Sequence, residues 1–170
     1  MHWVCCLFVL AGLAGVSTDA AAARIKDLAA IKGIRSNQLT GYGLVVGLNG
    51  TGDKDKVSFT RQALANMMEK MNIYVDQNQL KVKNVAAVMA TAAIPPFART
   101  GDRIDITVSS LGDAQSLKGG MLLMTPLKGV DGRVYAIAQG PVSLSIPSDV
   151  GDRASHLLVG RIVNGGSIER

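Results

Sequence analysis

The chain has 170 residues, with 18 Lys and Arg against 13 Asp and Glu, and only 4% aromatic residues. Stacking platforms for single-stranded nucleic acid or sugar rings need aromatics clustered among basic side chains, and no such cluster occurs here. A formal charge of +5 still favours an anionic partner, such as an acidic protein surface or the carboxylates of peptidoglycan.

The run from Trp3 to Val16 is almost wholly apolar, and a small-residue tract, Ala20 to Ala23, then meets the first cation, Arg24. This is the layout of a secretory signal peptide with cleavage between Ala23 and Arg24. The run is shorter than the roughly 20 residues that span a bilayer as a helix. Removal of residues 1–23 takes Cys5, Cys6, Trp3 and Asp19 with it. The product then has no disulfide and rests on its core alone. Export makes nucleic acid an unsuitable partner.

Lys26 to Ile34 reads as a short helix or turn. From Lys32 to Asp53, Gly33, Gly41, Gly43, Gly47, Gly50 and Gly52 surround one short strand core, Leu44, Val45, Val46 and Leu48. From Phe59 to Met71 the residues Leu64, Met67, Met68 and Met71 fall at i, i+3, i+4 and i+7 and predict an amphipathic helix, with Ser58 as its N-cap. Arg61, Gln62, Asn66, Glu69 and Lys70 form the opposite, solvated face.

The remainder reads as strands. Leu80 to Lys83 alternates, Val85 to Ile94 is an apolar run closed by Pro95-Pro96, and Ile104 to Ser109 alternates again. Met121 to Met124 and Val134 to Gln139 flank a turn over Gly129–Gly132 and predict a hairpin. One main helix among strands without a regular repeat predicts an α+β fold with a mixed or mainly antiparallel sheet. The expected organisation is a signal at 1–23, a domain at 24–140, an irregular linker or loop at 141–158 and a further segment at 159–170.

Sites for chemistry are scarce. Gly47 to Gly52 follows a strand as a phosphate-binding loop does, but Asp53 stands where that loop needs Lys. Neither Gly41-x-Gly43 nor Gly50-x-Gly52 has the third glycine of a dinucleotide fingerprint. His156 is the one histidine after the signal, so neither a zinc site nor a base-activated nucleophile can be assembled. Asp53-Lys54-Asp55 lacks the further ligands of a calcium loop. Asp102 and Asp105 are the one carboxylate pair conceivable for glycan cleavage, and solvated turn and strand positions explain them as well. The remaining candidate is basic: Lys81 and Lys83 share one face of their predicted strand, with Arg99, Arg103 and Lys118 near the ends of neighbouring elements. These residues serve either as lysines guarding a solvated strand edge or as a positive surface for an acidic partner.

The stretch KGIRSNQLTGYGLVVGLNGTGD from Lys32 to Asp53, the stretch from Lys83 to Gly140 beginning KNVAAVMATAAIPPFARTGDRIDITV, and Val159 to Gly165 resemble the flagellar P-ring protein family. The resemblance covers the front half of such proteins, so the chain is either a fragment or a reduced form. It implies a periplasmic structural protein, not an enzyme and without cofactors, that forms a ring homo-oligomer around the flagellar rod. It further implies contact with the L-ring lipoprotein and a periplasmic assembly chaperone, and it makes peptidoglycan a possible partner. Under it, Lys81, Lys83, Lys118 and Arg103 become candidates for a rod-facing surface, with ring contacts supplied by exposed strand edges and the glycine-rich loop. Gly41, Gly43, Gly47, Gly50 and Gly52 become structural positions. Two other readings stand beside it: a monomeric peptidoglycan-binding module, and a periplasmic hydrolase using Asp102 or Asp105.

Loss of residues 1–23 removes the sole tryptophan, Trp3. The exported product is expected to begin at Arg24 and to show no tryptophan fluorescence, which intact-mass analysis and an emission spectrum check. A product retaining Trp3 would overturn the cleavage site.

Overall fold

The computed structural model describes residues 35–54, 57–77, 80–144 and 157–170. The expected signal peptide, the Ala23–Arg24 cleavage site, the Lys26–Ile34 element, Asp55 and His156 lie outside these residues. The described strands are β1 (Asn37–Val46), β2 (Val85–Ile94), β3 (Arg103–Ser110), β4 (Met121–Lys128), β5 (Val134–Pro141), β6 (Ser143–Leu144) and β7 (Val159–Ile168), with one helix, α1 (Ser58–Lys70).

Every strand pairing is antiparallel. The order is β3-β2-β1-β4-β5-β7, and β7 also pairs with β3. Six strands therefore close on themselves as a barrel, and β6 continues β5 along β7 in the same register. This corrects the expected α+β fold with a main amphipathic helix: the chain is mainly β, and the helix is an accessory. The one clear helical periodicity drew weight because it is local, whereas closure depends on pairs as distant as Arg103 with Ser167.

Period-two alternation decides the interior. Leu39 and Val45 of β1, Ala86, Val88, Ala90 and Ala92 of β2, and Ile104, Ile106 and Val108 of β3 share one core with Leu122, Leu127, Ala136, Ala138, Ile162 and Ile168. Six strands enclose little space, so large inward side chains must face small ones. Gly41 and Gly43 provide that relief on β1. A Cβ at Gly41 would lie 2.5 Å from the Pro126 carbonyl oxygen, and one at Gly43 would collide with the Thr125 hydroxyl and come 3.1 Å from Leu122 Cδ1. Both work by close approach to β4, since neither has a positive φ.

The outward residues of β1 and β2 make a second, smaller core. Leu44, Val82, Val85 and Ala87 are buried there beneath Ala63, Leu64 and Met67 of α1. Within α1 itself only Thr60 and Ala65 are buried, and Met71, expected to point inward, is 63% exposed. Ser58 is the first helical residue and not the cap, which is Val57 without a side-chain hydrogen bond. The strand expected over Leu80 to Lys83 does not form; the chain instead enters β2 through a turn closed by the Val85 N–H donating to the Val82 carbonyl at 2.8 Å. The β4–β5 hairpin forms over Gly129–Gly132, with Gly132 at φ 77°.

Substituting Val for Gly43 overpacks the wall between β1 and β4. Gly43→Val is expected to lower unfolding free energy by about 1–3 kcal/mol, measured by urea denaturation. An unchanged midpoint would show that Thr125 and Leu122 can move aside.

Candidate functional site

Leu48, fully buried, plugs one end of the barrel together with Ala114 and Leu117. Between them the chain makes a glycine-rich loop, residues 47–54, and a second loop, residues 111–120, which meet edge to edge. The Gln115 N–H donates to the Thr51 carbonyl at 2.8 Å, and the Thr51 hydroxyl donates to the Ser116 carbonyl at 2.9 Å. The turn before β2 joins them, its Lys83 carbonyl accepting from Gly52 N–H at 2.8 Å.

At the centre of this junction lies Asp53, completely buried. One carboxylate oxygen accepts the Thr60 hydroxyl of α1 at 2.6 Å and the Ala87 N–H of β2 at 2.9 Å; the other accepts the Ala114 N–H at 3.0 Å. All three partners donate, which offsets the removal of the carboxylate oxygens from water. Neighbouring glycines make room for it. A Cβ at Gly112 would strike the Asp53 carboxylate, and one at Gly52 would lie 2.5 Å from the Val85 carbonyl oxygen. Gly47 and Gly50 instead supply positive φ at 82° and 74°.

This geometry disposes of the phosphate-loop comparison. The N–H groups that would cradle a phosphate point into the protein: Gly50 to the Asn84 side chain, Gly52 to Lys83, Asp53 to Val85 and Lys54 to the Asp113 carboxylate. Among the described residues no group of three His, Cys, Asp or Glu could hold a metal ion.

The basic candidates divide into two sets. Lys81 and Lys83 flank buried Val82 in the turn before β2, and Lys118 lies in the loop that grips Thr51, so these three exposed lysines share the glycine-rich end. Arg103 starts β3 and pairs with Ser167, at the opposite end of the barrel. The two carboxylates considered for hydrolysis are engaged by the main chain. Asp102 accepts the Arg99 N–H at 2.8 Å within a turn. Asp105 faces an irregularity in β7, where it accepts the Asn164 N–H at 2.8 Å and the Arg161 guanidinium at 2.6 Å. Those contacts, the Asn164 N–H foremost, hold its carboxyl below the ordinary carboxylate range. A general acid needs the opposite shift.

Sequence reasoning finds Asp53 unfit for a phosphate loop and short of ligands for a calcium loop, and does not find its partners Thr60, Ala87 and Ala114. The available signal was an acid set directly behind Gly50-Thr51-Gly52, where a backbone that tight leaves little solvent.

A family profile described as flagellar P-ring protein matches residues 24–170. The chain is 56% identical over 149 residues to a flagellar P-ring protein of Wolinella succinogenes, covering 88% of the chain and 43% of that relative. It is 59% identical over 154 residues to that of Geobacter metallireducens, covering 88% and 42%. Against that of Helicobacter pylori the identity is 53% over 149 residues, covering 88% and 42%. The chain thus spans less than half the length of these relatives.

Asp53→Asn keeps the shape but presents an amide where the carboxylate accepts. It is expected to destabilise the fold by about 1–3 kcal/mol by leaving a buried donor unsatisfied, read from thermal or urea unfolding. Native-like stability would show that the clasp is dispensable.

Proposed function

Because the chain belongs to the flagellar P-ring protein family, we propose that it is a structural subunit of the flagellar P-ring. In this reading it assembles with copies of itself around the rod in the periplasm, as a bushing that supports and protects the rotating shaft. The match across residues 24–170 carries the proposal. The L-ring lipoprotein, a periplasmic assembly chaperone and peptidoglycan complete its surroundings. Its role is mechanical and not enzymatic, in keeping with a structural family and with Asp102 and Asp105 engaged by main-chain donors.

The rod-facing surface we assign is the glycine-rich end, where Lys81, Lys83 and Lys118 stand exposed on loops fastened by Asp53. Attraction between charges tolerates sliding, whereas interdigitated apolar side chains would lock one register. Arg103, at the other end, leaves this set.

One observation favours a second reading, a monomeric module that binds peptidoglycan. Thr40, Thr91 and Thr107 stand directly opposite one another across β1, β2 and β3, and Thr107 is opposite Arg161 of β7. Such an exposed hydroxyl row suits a polar polymer, while Arg161 at its end is ion-paired with Asp105. Light scattering followed by pelleting with cell wall separates the readings: assembly supports the ring subunit, and a monomer that pellets supports the module.

Reversing Lys83 and Lys118 to Glu is expected to impair swimming while circular dichroism stays unchanged, because exposed substitutions typically shift stability by only about 0.5 kcal/mol. Wild-type rod binding is expected to weaken with salt as the Debye length falls from about 10 Å at 0.1 M to about 3 Å at 1 M. Arg103→Glu is expected to swim normally. Normal swimming of the double lysine variant, with salt-independent rod binding, would remove the lysines from the contact.

A further inference from the structure

The connection from β2 to β3 displays one aromatic residue at a conformational cost. Phe97 has φ 67° and is 81% exposed. The left-handed region is uncommon for any residue with a Cβ and is an outlier for a bulky one. A turn with positive φ at this position normally takes Gly or Asn. Among the described residues the phenyl ring stands in solvent, so the ring is the feature to be explained.

The surrounding turn is firmly held. Pro95 and Pro96 fix the approach, and the Ala98 N–H donates to the Pro95 carbonyl at 3.3 Å. Beyond it, the Arg99 N–H donates to Asp102 Oδ2 at 2.8 Å, and the Gly101 N–H donates to the Ile168 carbonyl at 2.8 Å. Ile94 and Ala98 pack against the barrel core at the base. A strained, rigid and exposed aromatic fits a binding anchor, since little ordering remains to be done on association.

A receiving surface lies elsewhere on the barrel. A groove of about 480 Å³ runs across the outer face of β1 and β4 to the hairpin turn, lined by Tyr42, Met89, Pro126, Lys128 and Val130. Lys128 is its one charged side chain, whereas four other grooves on the described surface each carry at least two. The Phe97 turn joins β2 to β3, whereas the groove spans β2, β1 and β4 towards the β4–β5 turn, so knob and groove are separate features at one end of the barrel. Such a knob and groove suit head-to-tail contact between copies, which rotation can close into a ring.

The geometry points to Phe97 as the anchor that one copy of this chain inserts into the Tyr42–Met89–Val130 groove of the next. This rests on the ring-subunit reading above and names its contact. Phe97→Gly separates an anchoring role from a folding role, because relief of the positive φ raises stability while loss of the ring removes the contact. Sedimentation velocity of the purified chain over a concentration series is expected to show association at least tenfold weaker for Phe97→Gly, with a melting temperature a few degrees higher. Val130→Asp, at a fully exposed groove position, is expected to weaken association equally with unchanged melting, and Phe97→Trp to retain it. Association of Phe97→Gly and Val130→Asp at wild-type concentrations would sink this contact alone. A wild-type chain that stays monomeric throughout would sink the ring-subunit reading beneath it.

Discussion

The narrow interior of a six-stranded barrel governs the rest of the molecule. Large side chains cannot point inward from every strand at one level, so space is shared between neighbours. Leu122 and Leu127 of β4 extend where β1 carries Gly43 and Gly41, and Ile104 and Ile106 of β3 extend where β7 carries Gly166. Ile162 in turn fills the room left by Gly140 and Gly165. The alanines of β2 and β5 belong to the same arrangement. High glycine and alanine content is therefore a packing solution and not a sign of looseness.

Asp53 carries that order from the barrel to its loops. A single carboxylate joins the start of α1, the edge of β2 and the loop after β3, the last of them 61 residues further along the chain than Asp53 itself. Because its three donors are buried, they have no water to turn to if the acceptor is lost. The loops that bear Lys83 and Lys118 therefore take their positions from a group that no solvent reaches. An exposed charge pattern is set from beneath the surface.

How far these features can be read from the chain depends on how local they are. β2 follows from an unbroken apolar run, β3 from its alternation and the β4–β5 hairpin from Asp131-Gly132, all signals within a few residues. α1 is equally legible, yet periodicity does not reveal how little of it is buried. β7 is the hard case: Asn164, Gly165 and Gly166 interrupt its alternation, and Asn164 takes a positive φ of 53°. Its irregularity is absorbed by Asp105, whose side chain caps the Asn164 N–H from β3, and no local rule pairs those two residues. The meeting of Lys83 with Lys118 at one end is hidden for the same reason, since it runs through contacts such as Thr51 with Ser116, 65 residues apart.

Barrel closure also orders events in time. The strand that joins β3 to β5 is the last of the six along the chain. Before it pairs, the other five can form only an open sheet whose β3 and β5 borders carry unpaired main-chain groups. Contacts between such distant residues form slowly because the intervening loop must first be ordered. Until β7 pairs, the chain is a template for pairing with its neighbours. Its safest course is to remain extended or chaperoned over that interval, so the finished molecule's indifference to edge pairing is acquired in a single late step.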